Sequence, residues 1–440
     1  MRKQFGVKER KILRNKNDFV ENLSRYVRAF GKWIALGGII GICCGLAGAA
    51  FVLSLRRVTA LRLARPWLVW LLPAAGLAIT AIYKLTGSEG KNVNDLIDGV
   101  HRGEKVSFWL FPAVFAGTVL THLCGGSAGR EGAALQMGGA IGGQIGKLWG
   151  VDAPDLRVCI IAGMAAFFSA LFGTPLTAVL FVSAIVGVDT YYHAADLPTM
   201  TASLMAYWVA GDLGVVPTHF HLHAPRTEPV MMVRIGVLAL LCALVSILFC
   251  MVMHGAQRLM EKWMPNPWVR VLAGGAAIIA LTFLCGSRDY NGAGMEIIAA
   301  AIQQGKTHPL AFLLKIIFTA VTLGAGYKGG EVVPAFFVGA TFGCVAGPLL
   351  GIPAGFAAAM GLVCVFCGVT NSPIPSVVLA AELFDSSGIL YFALACGVAN
   401  FFSGYGGLYS SQHIFHSKIK LSCRAYEKKG RKGLIRTYHE

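Results

Sequence analysis

Five long apolar runs confine this chain to a lipid bilayer. They cover residues 33–55, 67–85, 108–124, 230–253 and 269–285, and each fits the window of roughly 17–25 residues in which a helix crosses the hydrocarbon core. Composition agrees, with 55% hydrophobic and only 14% charged residues, against about 25% charged in a soluble domain. The runs are continuous and lack the ten-residue alternation of membrane strands, which argues against a β-barrel. The sequence therefore predicts an all-α integral membrane protein and excludes a soluble enzyme.

The formal charge of +16 is concentrated at the two ends: residues 1–32 hold ten Lys/Arg and residues 418–440 hold eight. Positive charge marks the cytoplasmic side, so both termini are expected there, and a nucleic-acid partner is not expected. Arg56, Arg57, Arg62 and Arg65 lie between the first two runs, in a loop that this topology places outside; the two tails outweigh it. Residues 1–32 read as a basic amphipathic helix at the membrane surface, with no secretory signal.

Self-similarity divides the chain. GSEG…NVNDLIDGV (87–100) is echoed by GSRDYNGAGMEIIAAAI (286–302), and GGSAGREGAALQMGGAIG (125–142) by GAGYKGGEVVPAFFVGATFG (324–343). GMAAFFSALFGTPLTAVLF (163–181) is echoed by GLVCVFCGVTNSPIPSVVLAAELF (361–384), and in both copies glycine precedes proline by 12 residues. These matches predict a first membrane repeat over 33–212, a connector over 213–229, a second repeat over 230–420 and a basic cytoplasmic tail over 421–440. Repeats with broken helices are the architecture of many secondary transporters.

Each repeat carries an acid where a glycine-rich loop enters an apolar helix, Glu131 and Glu331, 200 residues apart. A carboxyl at bilayer depth is costly and marks an ion path. Helix N-termini offer unpaired N–H groups and partial positive charge, and glycine allows close approach of backbone to an ion. The helices after Gly90, Gly129 and Gly330 fit an anion site of this kind. Burial disfavours a charged carboxyl there and the helix end favours it, so such an acid can stand in for the anion or carry a proton. Structural readings stay open beside these. Glu131 can pair with Arg130, and Glu331 can cap its helix beside Lys328. Asn92 can cap the helix starting near Asn94.

The residues GREG (129–132), GMAAFFSALFGTPLTAVLF (163–181), GGEVVP (329–334) and GVTNSPIPSVVLAAEL (368–383) resemble the CLC family of chloride channels and anion/proton antiporters, over roughly residues 33–420. The resemblance implies two inverted repeats with tilted, broken transmembrane helices. It also implies a homodimer with one pore per subunit, and an end to the chain before any nucleotide-sensing domains. It places the gating, proton-carrying glutamate at Glu131, and at Tyr409 the tyrosine whose hydroxyl holds the central anion. Departures are specific. GKNVN (90–94) replaces the family's GSGIP and puts Asn92 at the anion-contacting serine. GREGA puts Ala133 for proline. Ala184 and Ile185 stand where chloride/proton exchangers carry an internal glutamate. GEVVP introduces Glu331. This set resembles the bacterial fluoride/proton antiporter branch, which often has methionine and threonine at the positions of Asn92 and Val333.

The expectation is thus a secondary active transporter of the bacterial-type plasma membrane that exports fluoride in exchange for protons. Glu131 is the movable acid and Glu331 a second proton-handling or polarising acid. The anion is bound by Asn92, Tyr409 and the backbone amides of Gly132, Ala133, Val332 and Val333. An amide side chain such as Asn92 offers two donors to a strongly hydrated anion. Phe336 and Phe337 are read as packing, and Tyr409 can also be an interfacial aromatic. The alternative is a chloride/proton exchanger or passive chloride channel. A third class, a zinc or redox enzyme, rests on His219, His221 and His223 and on Cys364 and Cys367. Those residues read better as a linker and as small core residues, so neither metal nor cofactor is expected.

Overall fold

A computed structural model describes residues 16–187, 193–384, 386, 388–412, 414 and 418. The expected tail over 421–440 and the first 15 residues of the expected N-terminal helix lie outside the described residues. Eight helices form the first half: α1 (Lys16–Ala64), α2 (Leu72–Leu85, entered through a 3-10 turn, Pro66–Leu71), α3 (Val93–Arg102), α4 (Leu110–Leu123), α5 (Glu131–Leu148), α6 (Ala153–Phe172), α7 (Pro175–Val186) and α8 (His193–Asp212). Eight more form the second: α9 (Pro229–Trp263), α10 (Pro267–Cys285), α11 (Met295–Gln303), α12 (Ala311–Gly324), α13 (Val332–Leu349), α14 (Ala354–Thr370), α15 (Pro373–Leu383) and α16 (Ile389–Phe402). Helix α4 matches α12, and α5 matches α13, in length and at a displacement of 201 residues. The displacement falls to 198 at α7 and α15, because α14 is three residues shorter than α6.

Local chemistry sets the boundaries. Pro175, Pro229, Pro267 and Pro373 each open a helix, where a missing N–H costs nothing. Asp152 caps α6 by accepting from the Asp155 amide, and Asn266 caps α10 through the Trp268 amide. Gly173 (φ 72°) ends α6, and Asn371 (φ 51°) ends α14 in the same left-handed conformation, which suits glycine and is tolerated by asparagine.

Two of the expected boundaries differ. Residue 33 lies inside α1, because no proline interrupts the passage from the basic segment to the first apolar run and the helix continues through Gly31. The run over 108–124 yields only the 14-residue α4, about 21 Å long at 1.5 Å per residue and short of a bilayer core of about 30 Å. Among the described residues six stretches are long and apolar enough to cross: Leu23–Ala64, Pro66–Leu85, Ala153–Phe172, Pro229–Trp263, Pro267–Cys285 and Val332–Leu349.

Packing between α5 and α6, and between α13 and α14, is backbone against backbone. A Cβ on Gly138 would strike the Gly163 carbonyl, and one on Gly142 the Cys159 carbonyl; Gly339 and Gly343 repeat this against Gly361 and Ala357. Small residues at intervals of four allow such approach where lipid offers no hydrophobic drive. The halves join at their centre through an isolated antiparallel bridge. Gly129 N–H donates to Gly330 O at 2.7 Å, and Gly330 N–H donates to Gly129 O at 2.8 Å. Gly129 and Gly330 are counterparts at the 201-residue displacement, so equivalent segments face each other in opposite directions, as inverted repeats require.

Gly138→Ala is expected to lower stability by about 1–3 kcal/mol through overpacking. Gly236→Ala, on α9 with nothing within 4 Å of the added carbon, should leave it unchanged or raise it by up to about 1 kcal/mol. Thermal unfolding in detergent, followed by tryptophan fluorescence, checks both.

Candidate functional site

Glu131 is the first residue of α5 and is fully buried. Its Oε2 accepts from the Arg130 amide at 3.1 Å; the Glu131 and Val333 amides also face the carboxyl, while Oε1 makes no hydrogen bond. The Oε2 atom occupies the space beside both bridge glycines, where a Cβ on Gly129 or on Gly330 would overlap it. The glycines therefore make the seat of the acid as well as the join between the halves.

Helix geometry supplies the donors. The first intrahelical bonds are Ala134 N–H to Arg130 O and Ala335 N–H to Glu331 O. The amides of Gly132 and Ala133 on α5, and of Val332 and Val333 on α13, precede them and have no helical acceptor. Two positive helix ends thus meet at the Glu131 carboxyl. Arg130 does not neutralise it: among the described residues no ion pair joins them, and the guanidinium carbon lies 5.3 Å from the Phe172 ring centre.

Glu331 is half-buried at the N-cap of α13, but its side chain makes no capping bond. It forms no ion pair with Lys328 among the described residues; that ammonium sits 4.3 Å over the Tyr83 ring. Glu331 lines a cavity of about 770 Å³ together with Asn92, Gly132, Ala133, Lys328 and Tyr409. One sequence correspondence needs correction. Because Gly129 pairs with Gly330, the counterpart of Glu331 is Arg130, and the counterpart of Glu131 is Val332. Glycine-rich letters match at 200 residues, but the backbone matches at 201.

Tyr409 is buried, its ring 6.2 Å from that of Phe181, and it lines the same cavity as Glu331. Its segment is pinned by Leu408 N–H to Val369 O at 2.8 Å and by Gln412 Nε2 to Ala184 O at 3.2 Å. Asn92 is exposed and caps α3: its Oδ1 accepts from the Asn94 and Asp95 amides at 2.7 and 3.3 Å, and its own amide donates to Asp95 Oδ2 at 2.8 Å. The capping reading therefore holds, and only the Asn92 NH₂ group is left for an anion. Phe336 and Phe337 are buried packing residues, Phe336 against Phe172 and Phe366. The His219 and His221 rings lie 5.4 Å apart in the connector, and Cys364 and Cys367 are buried in α14.

Three groups at the site escaped sequence reading. Thr121 and Thr322 cross between halves, Thr121 Oγ1 accepting from the Lys328 amide at 3.2 Å and Thr322 Oγ1 from the Ser127 amide at 3.0 Å. Lys315 is fully buried on α12; a cation inside the run AFLLKIIFTAVTLG is the signal that could have pointed to it.

Three comparisons bear on this arrangement. A family model described as voltage gated chloride channel matches residues 75–404. A chloride/fluoride channel protein of Pseudomonas syringae pv. tomato is 37% identical over 396 residues, 88% of this chain and 87% of that protein. An H(+)/Cl(-) exchange transporter, ClcA, of Yersinia pestis is 24% identical over 390 residues, 80% of each. The crystal structure of a CLC-type fluoride/proton antiporter superposes with a TM-score of 0.82 at 30% identity, over 87% of this chain and 98% of the other. A slow cyanobacterial Cl-/H+ antiporter, at 18% identity, shares the fold with a TM-score of 0.75 over 84% and 94%.

Gly129→Ala places a methyl on the Glu131 carboxyl and 2.9 Å from Pro334 Cδ. A cryo-electron-microscopy map of this variant should show the helices unmoved and the Glu131 side chain out of its seat.

Proposed function

This chain belongs to the voltage-gated chloride channel (CLC) family, and from that premise we propose that it is a secondary active antiporter exporting fluoride in exchange for protons. The observation that carries the reading is a buried carboxyl seated where two helix N-termini converge, in no ion pair among the described residues, with a second carboxyl on the adjoining cavity. Similarity to a chloride/fluoride channel protein and to a fluoride/proton antiporter supports fluoride as the anion.

In this reading the Glu131 carboxylate holds the donors that an anion needs. When Glu131 takes a proton it no longer competes as an anion, and fluoride enters among the amides of Gly132, Ala133, Val332 and Val333. These dipoles replace the hydration shell without a fixed cation, so release stays possible. Tyr409 supplies a hydroxyl on the cavity side, and the NH₂ group of Asn92 serves as a donor at the mouth. Glu331 is the second proton-handling group, in a chain with Ala184 and Ile185 where exchangers of the family carry an acid. Protons entering down the membrane potential supply the energy.

We also infer a homodimer in the plasma membrane of a bacterial-type cell with both termini cytoplasmic; family resemblance supports the first and the basic ends support the second.

Purified protein in liposomes loaded with fluoride should release it with matching proton uptake. Chloride should leave at least about ten-fold more slowly, a difference of about 1.4 kcal/mol; equal or faster chloride flux would overturn the fluoride assignment. Glu131→Gln should abolish proton uptake while the protein stays folded. Glu331→Gln should slow coupled fluoride release by about ten-fold or more, and unchanged coupling would remove Glu331 from the proton path.

A further inference from the structure

The buried lysine of α12 has no part in the scheme above. Lys315 Nζ donates to Tyr290 O at 3.1 Å and to Gly292 O at 2.6 Å, and lies 5.1 Å from the Phe337 ring centre. Among the described residues no carboxylate pairs with it. The segment it grips is bonded to the loop that ends in Glu131: Gly292 N–H donates to Gly126 O at 3.0 Å, and Asn291 Nδ2 to Gly125 O at 2.7 Å. The same helix holds that loop directly. Thr319 Oγ1 lies 3.0 Å from Ser127 Oγ, and Thr322 Oγ1 accepts from the Ser127 amide. Lys315, Thr319 and Thr322 stand at i, i+4 and i+7 on one helix face, all fully buried.

Comparison with the first half shows what the lysine changes. At the 201-residue displacement, Lys315, Thr319, Thr322 and Phe337 correspond to Val114, Thr118, Thr121 and Gln136. Thr121 repeats the bond of Thr322. Val114, Thr118 and Gln136 line the cavity on which Glu331 and Tyr409 open, whereas Lys315, Thr319 and Phe337 do not. In the second half the Lys315 ammonium and the Phe337 ring face each other at those positions. A long cation with two carbonyl acceptors and an aromatic face ties its surroundings together.

We propose that Lys315 is a positioning residue that clamps the Glu131 loop through Tyr290–Gly292, so that the Glu131 carboxyl keeps its seat beside the two bridge glycines. The coupling consequence rests on the antiporter reading; the clamp does not. Loss of the clamp frees the loop and lets anions pass Glu131 without waiting for its proton.

Lys315→Met and Asn291→Ala test this in liposomes and by hydrogen exchange with mass spectrometry. Both variants should show amides of residues 125–130 exchanging about ten-fold faster, as expected when a hydrogen bond that holds the loop is lost, with helices remote from the loop unchanged. Both should also move about two-fold fewer protons per fluoride, or fewer still. A folded variant with wild-type exchange in this loop and a wild-type ratio would overturn the proposal. If Lys315→Met does not fold, Asn291→Ala decides by the same criteria. Wild-type protein that moves fluoride without protons would sink the antiporter reading, and loop exchange would then decide the clamp alone.

Discussion

Two hydrogen bonds between Gly129 and Gly330 hold together what the rest of the protein depends on. Irregular backbone inside a bilayer survives only where protein satisfies its polar groups. Here each broken segment is satisfied by its counterpart, first through the bridge and then through Thr121 and Thr322 across the join. Neither half closes its own loop, so the core of the site exists only when both are folded against each other. The bridge must be glycine on both sides, because the space where either Cβ would stand is taken by the Glu131 carboxyl. One constraint therefore fixes the association of the halves and the position of the acid.

Duplication supplies the scaffold, and departures from symmetry supply direction. The glycine ladders of α5 and α13 repeat, as do the threonine crossings. At the centre the symmetry fails at every chemically active position. Glu131 faces Val332 in the equivalence, Glu331 faces Arg130, Asn92 stands at a helix cap where its counterpart helix has Gly294, and Lys315 faces Val114. A symmetric pore would offer the same access from both sides. These four positions set the side of the site that carries the cavity lined by Glu331 and Tyr409 apart from its counterpart in the second half.

Much of this was legible in the sequence, and the rest was hidden for identifiable reasons. Apolar runs and repeated Gly/Pro landmarks defined the class, and the GREG and GGEVVP loops located the site. Glu131 and the paired helix ends were read as a candidate site because an acid or a glycine cluster inside apolar sequence has few bland explanations, and Tyr409 came only from the resemblance to the CLC family. The spans 153–172 and 332–349 were not singled out as crossings although their mean hydropathy is no lower than that of Pro66–Leu85, because their glycines and flanking prolines were read as repeat landmarks in broken segments. The register of Glu331 was read one residue off because glycines repeat at several spacings, and only the bridge fixes which pair is equivalent. Lys315 lay in plain view within an apolar run, but its acceptors are backbone carbonyls about 25 residues away, and carbonyls leave no mark on a sequence.

The role proposed for Glu131 depends on the absence of an Arg130–Glu131 ion pair among the described residues. Breaking a buried ion pair by removing one partner costs about 3–5 kcal/mol, which would lock a carboxylate in place each cycle. Neutral amides make a smaller and less exclusive claim, about 1.5–3 kcal/mol for a bond to a charged group, and they bond as readily to a small anion as to a carboxylate oxygen. Arg130 is held instead over the Phe172 ring, close enough to bias the field and unbound to the acid. The seat thus favours negative charge in general and no particular bearer of it, and that is the condition under which a carboxylate and an anion can trade places.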